Sequence, residues 1–327
     1  MNRTVPGLFV VLLVLAACAG PGGSPRESAA PRATPGDSSA PSPSEAPSDG
    51  GGGTGGDVEH PTGSEAIIAI TWAGGMIPAQ MQVGQVPIFT LTGDGRVVVQ
   101  GIQTLEFPGP ILPALQERRL TEGGVQTVLS ALDDTNLFVG DLENRVAQSM
   151  VADANDTIFT VNAGGRTSVV TVFGIGAMPP DMEPPPGTDE AQLEAYRVLS
   201  TLHGRLITLD TWLPVDAWAT DTWQPYVPEA LRLYVRDVTD EPVDQDLPGQ
   251  ERVWPTDEDP AGFGEEMADF GDGTRCGIVE GEAGATWLAE LSNANENTIW
   301  TSGDRRFVID VRPLLPHEEL SCPSLNG

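Results

Sequence analysis

The stretch Thr157-Ile158-Phe159-Thr160-Val161-Asn162-Ala163-Gly164-Gly165-Arg166-Thr167-Ser168-Val169-Val170-Thr171-Val172-Phe173 decides the fold class of this chain. Two runs rich in β-branched residues, Thr157 to Asn162 and Thr167 to Phe173, flank a glycine pair. Glycine accepts the positive φ that tight hairpin turns require, so the segment predicts an antiparallel hairpin. The same logic applies on either side of it. Pro87 to Thr92 and Arg96 to Gln100 join through Gly93-Asp94-Gly95, and Thr298 to Thr301 joins Arg306 to Val311 in a third hairpin. Ala66 to Trp72 is an apolar run of the kind found in a buried strand, and Leu231 to Val235 reads as another.

Helical periodicity appears between the hairpins. Val125, Val128, Leu129 and Leu132 follow Thr121-Glu122 at the spacing of a single core-facing stripe. Thr188 and Asp189 suit the cap of a helix from about Glu190 to His203, with Gly204 as its stop. A third helix is expected from about Ala283 to Leu291. The proline-rich, acidic segment from Met178 to Gly187 breaks the pattern, and a sub-boundary is expected near 178–190. Asp237 to Gly273 has low periodicity and reads as a long acidic loop. The fold class is therefore α+β, with amphipathic helices packed on one face of antiparallel sheet.

An echo runs through these elements. Thr127-Val128-Leu129-Ser130-Ala131-Leu132 and Thr286-Trp287-Leu288-Ala289-Glu290-Leu291 each precede a hairpin with an Ile-aromatic-Thr run. This reads either as duplication of a helix-plus-hairpin unit or as the likeness that period-2 burial imposes on amphipathic hairpins.

The chain of 327 residues has a formal charge of −30, and all 17 basic residues are arginine. Without lysine it has no phosphate-loop lysine, no Schiff-base lysine and no Ser-Lys dyad. Its charge argues against nucleic acid, which needs a basic footprint, and against docking of the domain onto an anionic membrane surface. From Asp181 to Asp272 there are 22 acidic residues against 5 arginines, so this one segment dominates the net charge.

The amino end sets the address. Arg3 precedes an apolar run from Leu8 to Ala17, far short of the roughly 20 residues a membrane-crossing helix needs, so it reads as a secretion signal. Its end, Leu15-Ala16-Ala17-Cys18, resembles the bacterial lipoprotein lipobox. The resemblance implies cleavage after residue 17, lipidation of Cys18, and a location on the outer side of the cytoplasmic membrane. Residues 19–63 are Pro, Ser, Gly and Ala with scattered charge, a composition that cannot offset the entropy of ordering and is expected to form a disordered tether. A flexible chain of that length spans about 35–40 Å. The extracytoplasmic domain is then 64–327. If Cys18 carries lipid, Cys276 and Cys322 remain, and in an oxidising compartment they are expected to pair, the alternative being two free thiols.

Candidate sites are few. Trp212, Trp218, Trp223 and Tyr226 cluster among prolines and are read either as a groove for sugar rings or extended peptide, or as aromatics that cap the core. Asp257, Asp259, Asp269 and Asp272 offer hard oxygen ligands for Ca²⁺, without the spacing of an EF-hand, the alternative being a solvated loop. His203, at the predicted helix end, would sit as imidazolium on the helix dipole. His317 precedes Glu318-Glu319 but forms no HExxH, and no Gly-x-Ser-x-Gly elbow occurs. The sequence thus points to a lipid-anchored binding or envelope-associated module more than to an enzyme, with an envelope glycan, a peptide or a protein as partner. A carboxylate-dependent secreted hydrolase and a structural or accessory lipoprotein are the alternatives.

Overall fold

The computed structural model describes residues 57–75, 77, 82–135, 137, 140–144, 153–176, 187–242 and 249–323. The leader, Cys18 and the tether to residue 56 lie outside the described residues, as does the breaker segment apart from Gly187.

Among the described residues, two mostly antiparallel sheets and three α-helices make an α+β fold. Strands are numbered along the chain. The first sheet runs β5 (Leu142–Asn144), β7 (Arg166–Phe173), β6 (Asp156–Ala163), β1 (Ala66–Ala73), β2 (Phe89–Thr92), β3 (Arg96–Gln100), β4 (Leu115–Arg119) and β8 (Gln224–Pro225). The second runs β10 (Glu251–Val253), β13 (Ile299–Ser302), β14 (Arg305–Pro313), β9 (Ala230–Asp237), β12 (Arg275–Glu280) and β11 (Glu265–Glu266). All pairs are antiparallel except β5 with β7 and β10 with β13.

The expected hairpins are present, and β6 shows why the pattern was readable. Thr157, Phe159, Val161 and Ala163 are buried while their alternate neighbours are only half-buried. Helices α1 (Glu122–Asp133) and α2 (Glu190–Leu206) press their apolar stripes onto that face. Thr121 caps α1 by accepting from the amide of Gly124, and Asp189 caps α2 by accepting from that of Ala191. Gly204 does not end α2: the helix continues to Leu206, whose burial in the core outweighs the poor helix propensity of one glycine. The second sheet carries its own core under α3 (Gly281–Leu291). There Trp254, Trp287 and Trp300 meet at ring-centroid distances of 4.7 and 5.1 Å, flanked by Phe263 and Phe307.

The region from Asp237 to Gly273 is more structured than its composition suggests. It supplies β10, β11 and a 3-10 turn at Pro260–Gly262, and it buries Trp254, Phe263 and Met267. Its apolar residues are too widely spaced for either regular period, yet Trp254 and Phe263 join the second core and Met267 packs with Val83, Tyr234 and Cys276. The two echoing hairpins also dock differently. β6, the first strand of its hairpin, pairs with the central strand β1, whereas β14, the second strand of its hairpin, pairs with the central strand β9.

Residues before the expected domain boundary are seated on the fold. Val58 exchanges two hydrogen bonds with the Gln126 carboxamide, at 2.9 and 3.1 Å, and Glu59 accepts from the amide of Gly164. At the other end Cys276 and Cys322 form a disulfide, with Cα atoms 6.0 Å apart.

Gly124 illustrates how tightly α1 is packed. A Cβ there would lie 2.2 Å from the carbonyl oxygen of Ala217. Gly124→Ala, worth about 1 kcal/mol of helix propensity on an open surface, is expected instead to destabilise the domain by about 1–3 kcal/mol in urea unfolding; an increase in stability would contradict this packing. The disulfide closes a separation of 46 residues. Replacing both cysteines by serine is expected to lower the unfolding free energy by about 4 kcal/mol on the chain-entropy scale, again measured in urea.

Candidate functional site

The four aromatic residues singled out in the sequence do not form one groove. Tyr226 is buried, donating its hydroxyl to the carbonyl of Leu314 at 2.7 Å, and burial pushes its pKa well above the ordinary value. Trp212, Trp218 and Trp223 are half-buried against the first core. Trp212 donates to the carbonyl of Arg205 and Trp223 to the Asp210 carboxylate, while Trp218 meets Trp223 edge-on at 5.7 Å. The guanidinium of Arg118 lies 3.9 Å from the Trp218 ring centre, and that of Arg205 lies 4.1 Å from the Trp212 ring centre. These are cation–π contacts that occupy one face of each ring.

The acidic candidates are spread out. Asp257 and Asp259 are exposed, and Asp259 caps the 3-10 turn by accepting from the amide of Ala261. Asp269 is exposed. Burial opposes ionisation of Asp272, but the Thr274 hydroxyl and amide and the Arg236 guanidinium outweigh it and hold its pKa below the ordinary carboxylate value. Among the described residues no three potential metal ligands converge, and no helix is long and apolar enough to cross a membrane.

His203 departs from the dipole reading. It faces the sheet rather than the solvent at the helix end, with its ring edge-on to Phe159 and its Nε2 without a protein partner. Burial depresses its pKa, so the ring is held neutral. His317 is likewise depressed, first by burial, with Glu318 opposing and Arg312 adding to the effect. His60, expected in the tether, docks on α1 with Nε2 3.1 Å from Glu122.

A different surface stands out. The loop between β3 and β4 carries Ile102 and Leu105 fully exposed and Phe107 65 % exposed. Its stem is nonetheless fixed. The Gly101 amide donates to the carbonyl of Ala114, and that of Ala114 to the Gln103 carboxamide. Gly109 and Glu296 bond twice, amide to carboxylate at 3.1 Å and amide to carbonyl at 2.9 Å, and Pro110 bridges to Asn295. Contacts from both sheets therefore present three large apolar side chains to water. Isolated apolar residues on a surface are ordinary, but three large ones displayed on a single braced loop are not. No periodicity announces it, because Ile102, Leu105 and Phe107 lie in irregular chain. The only sequence signal was apolar residues crowded between Gly101 and Pro108 without a helix or strand to bury them.

The base of this loop forms one wall of a cleft of about 270 Å³ between the sheets, lined also by Gln85, Glu296 and Ile309–Val311. Asp310 sits at its mouth. Burial raises its pKa, with Arg236 opposing and Asp272 reinforcing the shift. Two other clefts also hold pairs of carboxyls, Glu59 with Glu65 and Glu229 with Glu280. In so acidic a chain the pairing alone selects none of them.

The neutral histidines set a pH dependence. An unfolded histidine titrates near about 6.5, so below that pH the unfolded chain binds more protons than the fold, and stability falls as pH falls through that window. His203→Leu is expected to flatten the stability–pH curve between about pH 5 and 7, read from thermal melts; an unchanged slope would show that His203 is not held neutral. No family model matches this chain, and neither a curated protein nor a solved structure matches it.

Proposed function

We propose that the protein is an exported lipoprotein, acylated on Cys18, whose folded part is a binding module displayed from the outer face of the cytoplasmic membrane. The leader and its Leu15-Ala16-Ala17-Cys18 terminus support the anchor, the composition up to residue 56 supports a spacer, and the Cys276–Cys322 bond suits an oxidising compartment. The observation that carries the binding reading is the braced loop with Ile102, Leu105 and Phe107 exposed. The aromatic belt serves a glycan less well, because arginines already lie over Trp212 and Trp218. No metal or cofactor is part of this reading.

One observation favours a second reading, a carboxylate-dependent hydrolase. Asp310, whose proton is retained to higher pH, shares its cleft with Glu296. Glycoside hydrolysis uses a carboxyl of raised pKa together with a second carboxyl in one cleft. The binding reading is preferred because it explains the loop, which a hydrolase confined to the cleft does not need.

The anchor is tested by intact mass of the protein isolated from its native membrane. The expected species begins at Cys18 and carries acyl chains on that residue. A free thiol at Cys18, or a chain retaining its leader, would overturn the assignment.

A further inference from the structure

The stem of the loop, through Gln103, Pro110, Ile111 and Pro113, lines the cleft. We propose that its occupant is an extended segment of a partner protein in which apolar side chains alternate with arginine or lysine. This rests on the binding-module reading and adds the class of partner.

Three observations support it. β13 pairs with β14 only from Arg305 to Phe307, and among the described residues no strand covers Ile309–Val311 on that side. That uncovered stretch lines the cleft. A strand edge of this kind is a template for an extended chain, whose main-chain bonds supply affinity while alternate side chains supply specificity. The cleft is also acidic, with the carboxyls of Glu296 and Asp310 and the carboxamides of Gln85 and Gln103 but no arginine in its lining. A basic side chain entering there meets the carboxylates of Glu296 and Asp310 beside the apolar wall of Ile111, Pro113, Ile309 and Val311. Above it, the exposed side chains of Ile102, Leu105 and Phe107 are held by a pre-formed stem, so binding does not have to order them first.

A bilayer is the other apolar occupant to weigh. Glu106 lies between Leu105 and Phe107, and its carboxylate accepts from the Thr104 hydroxyl at 3.0 Å. Inserting Leu105 and Phe107 into lipid would carry that carboxylate with them, and a chain of formal charge −30 is repelled by anionic headgroups. A partner with cationic groups gains from both features instead.

The test uses the full chain carrying Cys18→Ser, so that anchoring does not enter, and fluorescence anisotropy at physiological salt. Three probes are compared: a labelled peptide of alternating leucine and arginine, one of alternating glycine and arginine, and phosphatidylcholine vesicles. The leucine–arginine peptide is expected to bind about tenfold or more tighter than the glycine–arginine one. Leu105→Ser with Phe107→Ser, and separately Glu296→Gln with Asp310→Asn, are each expected to weaken it about tenfold. The loop side chains are exposed, so the first pair leaves the fold intact. Glu106→Lys is a further variant, expected to weaken the leucine–arginine peptide and to favour a leucine–glutamate one. Equal binding of both arginine peptides, or binding indifferent to the loop and cleft variants, would reduce the effect to diffuse charge and overturn the proposal. Absence of binding would overturn it, as would vesicle binding that the loop variants abolish. An unmodified Cys18 in the native protein would leave all of these outcomes unchanged.

Discussion

One guanidinium joins three separate parts of this fold. Arg312 of β14 donates through Nε to the carbonyl of Gln85, in the segment that follows β1, and pairs through Nη2 with Glu318 in the carboxy-terminal tail. The second carboxylate oxygen of Glu318 accepts from the amide of Leu315, which closes the arrangement. Both side chains are mostly buried, at 11 % and 14 % exposure. A pair so placed adds little over a hydrophobic replacement, but loss of either member would strand a charge in low dielectric at a cost of several kcal/mol. Arg312 therefore ties β14 both to the segment that leads into β2 and to the carboxy-terminal tail.

Other bonds between the two parts are of the same directional kind: Tyr226 donates to the carbonyl of Leu314, and Gly109 and Glu296 bond twice. The large apolar clusters lie to either side, one under α1 and α2 and one under α3, and smaller apolar contacts bridge them, among them the cluster of Val86, Val98, Leu115, Tyr226 and Leu315 and that of Val83 with Tyr234, Met267 and Cys276. Polar bonds specify geometry better than apolar contact does, and they leave gaps where side chains do not reach. The cleft beside Asp310 is such a gap, and the braced loop rises from its rim. The placement of the candidate surface thus follows from how the sheets are joined, not from any single motif.

Much of the architecture was legible because burial imposes period. Phe159, Val161, Val170 and Val172 announced their hairpin, and Val125, Val128, Leu129 and Leu132 their helix. Other elements left no such trace. β4 reads Leu-Gln-Glu-Arg-Arg, with one buried side chain, and is a strand because β3 pairs with it along its whole length. β5 and β10 are three residues each and exist through parallel pairing to β7 and β13, which no local pattern encodes. His203 keeps its expected place in the last turn of α2, but its ring is turned onto Phe159, a contact no local pattern encodes, and burial there disfavours the imidazolium. The exposure of Leu105 has no local signature, because exposure is a tertiary property and an apolar residue in irregular chain is as readily buried as displayed.

The clasp between Val58 and Gln126 has a mechanical consequence. A pull on the chain from before residue 57 does not act first on β1. It reaches the domain through two hydrogen bonds to a single carboxamide, reinforced by Gly164 holding Glu59. These half-solvated bonds are far weaker than the buried pairing of β1 with β2 and β6. Breaking them would release the residues ahead of β1 while the central strand keeps its pairing with β2 and β6.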